Sequence, residues 1–118
     1  MQAGDFARHW QDAWNRHDIE GVLRLFHDDV LFTSPLAVKI EPDSGGVLKG
    51  KDALRRYWRA AIAKVPDLRF ELTSLFEGVD CLLIGFRNEA GVDRFEVLRF
   101  RDGLVIEGHG TYPVEPAA

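Results

Sequence analysis

The order of hydrophobic periods predicts an α+β fold, with helices packed on one face of a curved, mainly antiparallel sheet. Two observations carry this. As far as Val65 the apolar residues mostly recur at helical spacing, and from Arg69 onward they alternate. The alternating runs are separated by Glu77-Gly78-Val79-Asp80, by Asn88 to Asp93 and by Asp102-Gly103, residue types that suit turns between strands.

Each element follows from local pattern. Phe6, Trp10, Ala13 and Trp14 form one stripe of a helix over 3–14. Asp18 suits an N-cap for a second, short helix whose stripe is Ile19, Val22, Leu23 and Phe26. Asp28-Asp29 breaks the pattern. Residues 30–34 form a β-type run ended by Pro35, which has no N–H for a ladder. Residues 35–50 hold two prolines and three glycines and read as a loop able to move over a site. A third helix spans 51–65, with Leu54, Tyr57, Trp58, Ala61, Ile62 and Val65 on one side and Pro66 as its stop. Four strands follow over 69–76, 81–87, 94–100 and 104–112.

Length and composition suit one domain over residues 1–118: 46% of the residues are hydrophobic and 29% charged. The net charge of −4 without a basic run argues against nucleic acid as a partner. The N-terminus is too polar for a signal peptide, and no apolar run reaches membrane-spanning length. A lone Cys81 cannot form an internal disulfide, which fits a reducing, cytoplasmic setting. No histidine pair has metal-ligand spacing with a third ligand nearby, so no metal or cofactor is expected.

The most informative residue is Glu96. Alternation places Arg94, Glu96, Leu98 and Phe100 on one face of their strand and Phe95, Val97 and Arg99 on the other. Both faces carry large apolar groups, so both are expected to be covered. A carboxylate on a covered face must be paired, hydrogen-bonded or protonated. Two readings stand side by side: a structural ion pair with Arg94, Arg87 or Arg99, or an acid/base group of a site.

Three stretches carry a resemblance: Trp10 to Trp14 followed by residues 15–35, Gly50 to Trp58, and Glu96 to Phe100 followed by Asp102 to Ile106. Together they resemble the nuclear transport factor 2-like superfamily, in its SnoaL-like and ketosteroid-isomerase-like branch. The resemblance implies a cone-shaped α+β barrel with three N-terminal helices on the concave face, a pocket between sheet and helices, and a homodimer through the outer sheet face. It implies that Trp10, Phe26, Phe32, Ser34, Trp58, Glu96, Leu98, Gly108, Gly110 and Tyr112 face the pocket. Relative to the steroid isomerases, the general-base position before the proline is Ser34, and the three tyrosine positions are Trp10, Trp58 and Phe26. Their neutral acid donor is retained as Glu96. Ser34 has no useful basicity near neutral pH. Steroid isomerisation by that mechanism is therefore not expected.

Each candidate also has a plainer reading. Trp14 reads as core; Trp10 and Trp58 read as core aromatics or as a ligand wall. Tyr57 faces either the core edge or the pocket. Ser34 lacks the histidine and carboxylate partners of a nucleophile. His109 shares a face with Glu107 and Thr111, away from the pocket and toward a dimer surface, with a minor place among acid/base candidates. His9, His17 and His27 read as helix-surface or helix-end residues, and Cys81 as a small core hydrophobe. Two functions are carried forward with equal weight. One is a cofactor-independent isomerase, cyclase, hydrolase or lyase acting on a small hydrophobic carbonyl compound. In it Glu96 is acid/base or oxyanion donor, Trp10 and Ser34 assist, and Trp58, Phe26, Phe32, Tyr57, Leu98, Tyr112 and Arg94 bind. The other is a non-catalytic binding or association module.

Overall fold

The computed structural model describes residues 1–117. Eleven helical and strand segments form one six-stranded sheet covered by helices. They are α1 (Ala3–Asn15), α2 (Ile19–Leu23), β1 (Phe26–Thr33), α3 (Pro35–Ile40), a 3-10 turn (Pro42–Ser44), β2 (Val47–Lys49), α4 (Lys51–Lys64), β3 (Glu71–Gly78), β4 (Cys81–Arg87), β5 (Asp93–Arg101) and β6 (Leu104–Gly110). The strand order is β2-β1-β6-β5-β4-β3. Only β1 and β6 run parallel; the other neighbours are antiparallel.

The end of α1 shows how residue chemistry places an element. The Asp18 N–H donates to the Ala13 carbonyl and the His17 N–H to that of Trp14, a Schellman closure. It puts His17 at φ 57°, a left-handed position that a non-glycine residue rarely takes. The Asp18 carboxylate then caps α2 by accepting from the Gly21 N–H at 2.9 Å. A Cβ on Gly21 would collide with that carboxylate, so the tight joint needs glycine there.

Several expected boundaries shift. Phe26 is not on the second helix; that helix ends at Leu23 and Phe26 opens β1, four residues earlier than the alternation at Val30. A register irregularity between Phe26 and Leu31 hides the first half of β1 from a period-2 search. Residues 35–50 are not a bare loop, since they hold α3, the 3-10 turn and β2. Pro35 opens α3 at a position where its missing N–H costs nothing. The helices therefore number four among the described residues, not three. The last strand stops at Gly110, leaving Tyr112 beyond the sheet and 40% exposed.

Further bulges at Leu72/Ser74 and Arg99/Phe100 bend the sheet, so its inner face can wrap the helices. The core lies between that face and α1, α2 and α4. Trp10, Phe26, Leu23, Leu54, Ile84 and Leu98 are among its fully buried members. Gly108 gives way to this packing: a Cβ there would stand 2.8 Å from the Phe32 ring and 3.1 Å from Leu98. No described helix is long and apolar enough to cross a membrane.

Candidate functional site

The parity predicted for β5 holds. Glu96 pairs across with Ile84 on β4 and with Gly110 on β6, and it lies on the same inner face as buried Leu98. Its carboxylate oxygen Oε2 accepts from the indole Nε1–H of Trp10 at 3.2 Å. Burial pushes the carboxyl up to about 7, against the opposing pull of the Arg94 charge and of the indole N–H.

The ion-pair reading of Glu96 is not what the packing gives. Arg87 pairs with Asp93 and Arg99 with Glu107, both at 3.0 Å and away from Glu96. Arg94 turns its Nε–H to the Thr111 carbonyl at 2.9 Å. Its guanidinium sits 4.2 Å from the centre of the Tyr112 ring and 5.5 Å from that of Phe86. Among the described residues it forms no salt bridge with a carboxylate. Arg94 is thus near enough to act on Glu96 electrostatically, but it does not close a pair with it.

A cavity of about 70 Å³ opens beside these groups. Ser34, Tyr57, Arg94 and Glu96 supply its polar lining, Trp14, Phe32, Trp58, Phe70 and Phe86 its aromatic walls, and Leu36, Leu68, Ala61 and Gly110 the rest. Ser34 Oγ and Tyr57 Oη are hydrogen-bonded at 2.8 Å, both buried. Burial pushes the Tyr57 hydroxyl up to about 12, so it holds its proton. Trp14 is 6% exposed, and its Nε1–H is buried without a partner among the described residues.

Of the residues singled out in the sequence, Glu96, Ser34, Arg94, Tyr57, Trp58 and Phe32 meet at this cavity. Trp10 stands one layer behind, stacked on Phe70 at 5.5 Å, and reaches the site only through Glu96. Phe26 and Leu98 are buried in the core and do not line the cavity. Tyr112 lies outside, against Arg94. Phe70, Phe86, Leu36 and Leu68 were not singled out. Phe86 could have been found from the register alone, because it pairs directly with Arg94. Leu36 could not, because the short helix that carries it has no visible period.

His109 keeps the outward parity expected of it. Its Nε2 meets Glu107 Oε2 at 2.7 Å and its Nδ1 meets Thr33 Oγ1 at 2.6 Å. His17 is not simply a helix-end residue, since its Nε2 ties to the Leu68 carbonyl at 2.9 Å. No group of three metal-ligating side chains occurs among the described residues. A larger cleft of about 350 Å³ lies where the start of α1 meets the β3–β4 turn, lined by Met1, Phe6, Cys81 and Phe100. Its carboxylates, Glu77 and Asp80, are solvent-exposed, so its size brings no buried chemistry with it.

Residues 7–108 match the model of the SnoaL-like domain. A SnoaL-like protein of unknown function from Burkholderia thailandensis is 36% identical, with 95% of this chain and 94% of that chain covered and a TM-score of 0.88. TerC, crystallised with polyporic acid, is 18% identical over 94% of this chain and 91% of that chain, with a TM-score of 0.79. IdmH of Streptomyces antibioticus, a proposed polyketide cyclase, is 16% identical over 94% of this chain and 91% of that chain, with a TM-score of 0.77. At these identities the last two show likeness of fold alone. No curated protein matches the chain significantly.

Proposed function

The chain belongs to the SnoaL-like family, and on that premise we propose that it is a small enzyme that moves a proton on a hydrophobic carbonyl compound without a cofactor. The observation that carries this is Glu96. It is the cavity-lining group poised near neutrality, since burial pushes its carboxyl up to about 7 while the Tyr57 hydroxyl is pushed up to about 12. A carboxyl near 7 exists in both forms at neutral pH. Protonated, it donates to a carbonyl oxygen; ionised, it takes a proton from the adjacent carbon and can return it to another atom. Such a step isomerises an enone or activates an enol for ring closure. Trp10 holds Glu96 in place by its hydrogen bond, while Ser34 and Tyr57 offer hydroxyls to the substrate oxygen.

The cavity sets the substrate's size. At about 70 Å³ it has room for about two water molecules, about half of what a benzene ring needs, so it admits the carbonyl end of a small substrate and excludes a polycycle. Phe26 and Leu98 then shape the wall from behind, and Tyr112 supports Arg94. The test is deuterium uptake from D₂O at carbons next to the carbonyl in a panel of single-ring ketones, followed by NMR. Glu96→Gln should slow exchange by about 100-fold or more. Equal exchange by both proteins would remove Glu96 from the chemistry.

A non-catalytic binder is the second reading. It is favoured by Ser34, which stands where a general base would serve and is engaged with Tyr57 instead. The finding that TerC crystallises with a small molecule is compatible with either. Ligands that stabilise the protein but undergo neither exchange nor conversion would select this reading. We also propose a cytoplasmic homodimer through the outer sheet face, where Phe76, Phe95 and Val97 are 61%, 40% and 38% exposed.

A further inference from the structure

We propose that His17 sets the size of molecule that reaches Glu96, by latching Leu68 as a gate across the mouth of the cavity. This deepens the reading above and rests on it, because it takes the same cavity as the reaction site.

The gate is visible in the lining. Leu36, Leu68, Arg94, Glu96 and Gly110 are its partly exposed members and so stand at the mouth, while the other lining residues are buried. Four of the five are held in regular structure: Leu36 in α3, Arg94 and Glu96 in β5, Gly110 in β6. Leu68 alone lies between elements, in the stretch 65–70 that joins α4 to β3. At about 70 Å³ the cavity takes only the carbonyl end of a substrate, so the rest of the molecule meets the mouth. The part of the wall with neither a ladder nor a helix behind it is the part that opens at least cost.

The tethers of this stretch divide into two fixed ends and one latch. At one end the Val65 N–H closes α4 onto the Ala61 and Ile62 carbonyls. At the other the Asn15 side chain clamps the Phe70 backbone twice. Its Nδ2–H donates to the Phe70 carbonyl at 2.9 Å, and its Oδ1 accepts from the Phe70 N–H at 2.8 Å. The Phe70 ring is packed 4.5 Å from that of Phe86 and 5.5 Å from that of Trp10. Between these ends the Leu68 N–H turns back to the Val65 carbonyl, inside the stretch itself. Among the described residues, the one hydrogen bond from Leu68 to another element joins its carbonyl to His17 Nε2 at 2.9 Å. A carbonyl only accepts, so His17 carries a proton on Nε2 and donates it. The closure of α1 that holds His17 at φ 57° places the ring for this contact. One hydrogen bond and the partial burial of a leucine side chain therefore keep the mouth shut.

The experiment is acrylamide quenching of tryptophan fluorescence. All three tryptophans are buried, and Trp14 and Trp58 line the cavity, so quenching reports entry. His17→Gly removes the latch and suits the left-handed backbone, which preserves the fold. Its quenching constant should rise about two- to tenfold, the worth of one lost hydrogen bond in the opening equilibrium, with unchanged far-UV circular dichroism. His17→Gln keeps a donor near the carbonyl and should stay within about twofold of wild type. Leu68→Ala opens the mouth by itself, so adding His17→Gly to it should give no further rise. In the D₂O assay His17→Gly should raise exchange into cyclohexanone relative to acetone by the same about two- to tenfold. Unchanged quenching in His17→Gly, or a further rise when it is added to Leu68→Ala, overturns the gate. An unchanged ketone ratio in an active protein overturns its part in selection. Quenching that responds as described, in a protein that exchanges neither ketone, upholds the latch and overturns the reaction proposed above.

Discussion

Replacing Glu96 by glutamine should make the protein less sensitive to rising pH. The glutamine can still accept the Trp10 indole N–H, but it cannot ionise. In the wild type the carboxyl is raised from 4.5 in an exposed setting to about 7. Each factor of ten in proton affinity corresponds to about 1.4 kcal/mol, so the rise is worth about 3 kcal/mol, which partial solvent access to the residue trims to about 2. The sign follows from proton counts. Below pH 4.5 both folded and unfolded chains hold the proton, and between there and about 7 only the folded chain does. Stability from this group therefore falls as pH rises through that window and is fully lost above it. Urea unfolding followed by tryptophan fluorescence at pH 5 and pH 9 measures the effect. The gain of the variant over wild type should grow by about 2 kcal/mol between those pH values, or about 1 M in midpoint. An unchanged gap, or one of opposite sign, would mean that Arg94 holds Glu96 ionised, and the acid role would fall.

Ser34→Ala leaves the buried Tyr57 hydroxyl without its 2.8 Å partner and should cost about 1–2 kcal/mol, read from the urea midpoint at pH 7; no loss would show that the pair is idle. Gly108→Ala forces a Cβ against the Phe32 ring and Leu98 and should cost about 1–3 kcal/mol, with a lowered Tm as the readout. Val97→Arg, on the exposed outer face of β5, should convert a dimer to monomer in sedimentation velocity while leaving far-UV circular dichroism unchanged. A Val97→Arg protein that still sediments as a dimer would place the interface elsewhere.

Much of the architecture was legible because periodicity is a direct image of burial. The faces of β5 and the stripe of α1 follow from it. What escaped was where local pattern and backbone disagree. The first half of β1 is out of register with its neighbour, so His27, Asp28 and Asp29 look like a break between elements. The six residues of α3 are too few to display a helical period. At the site, the sequence could point to Glu96 and Arg94 but not to their relation. Whether two neighbours on one strand face pair depends on what else the guanidinium finds. Here that is the Thr111 carbonyl and two aromatic rings from different parts of the chain.

The parallel pairing of β1 with β6 has a kinetic side. Phe32 lies beside Gly108, and Thr33 hydrogen-bonds His109 across 76 positions of sequence. During synthesis β1 leaves the ribosome long before its central neighbour exists, with only the three-residue β2 to cover one edge. A hydrophobic strand must wait until Leu104–Gly110 has been made. Closing so long a loop is entropically slow, and an unpaired strand edge is open to other chains meanwhile. Truncation before Leu104 should therefore yield aggregates rather than a smaller folded unit, because β1 would lose its central neighbour.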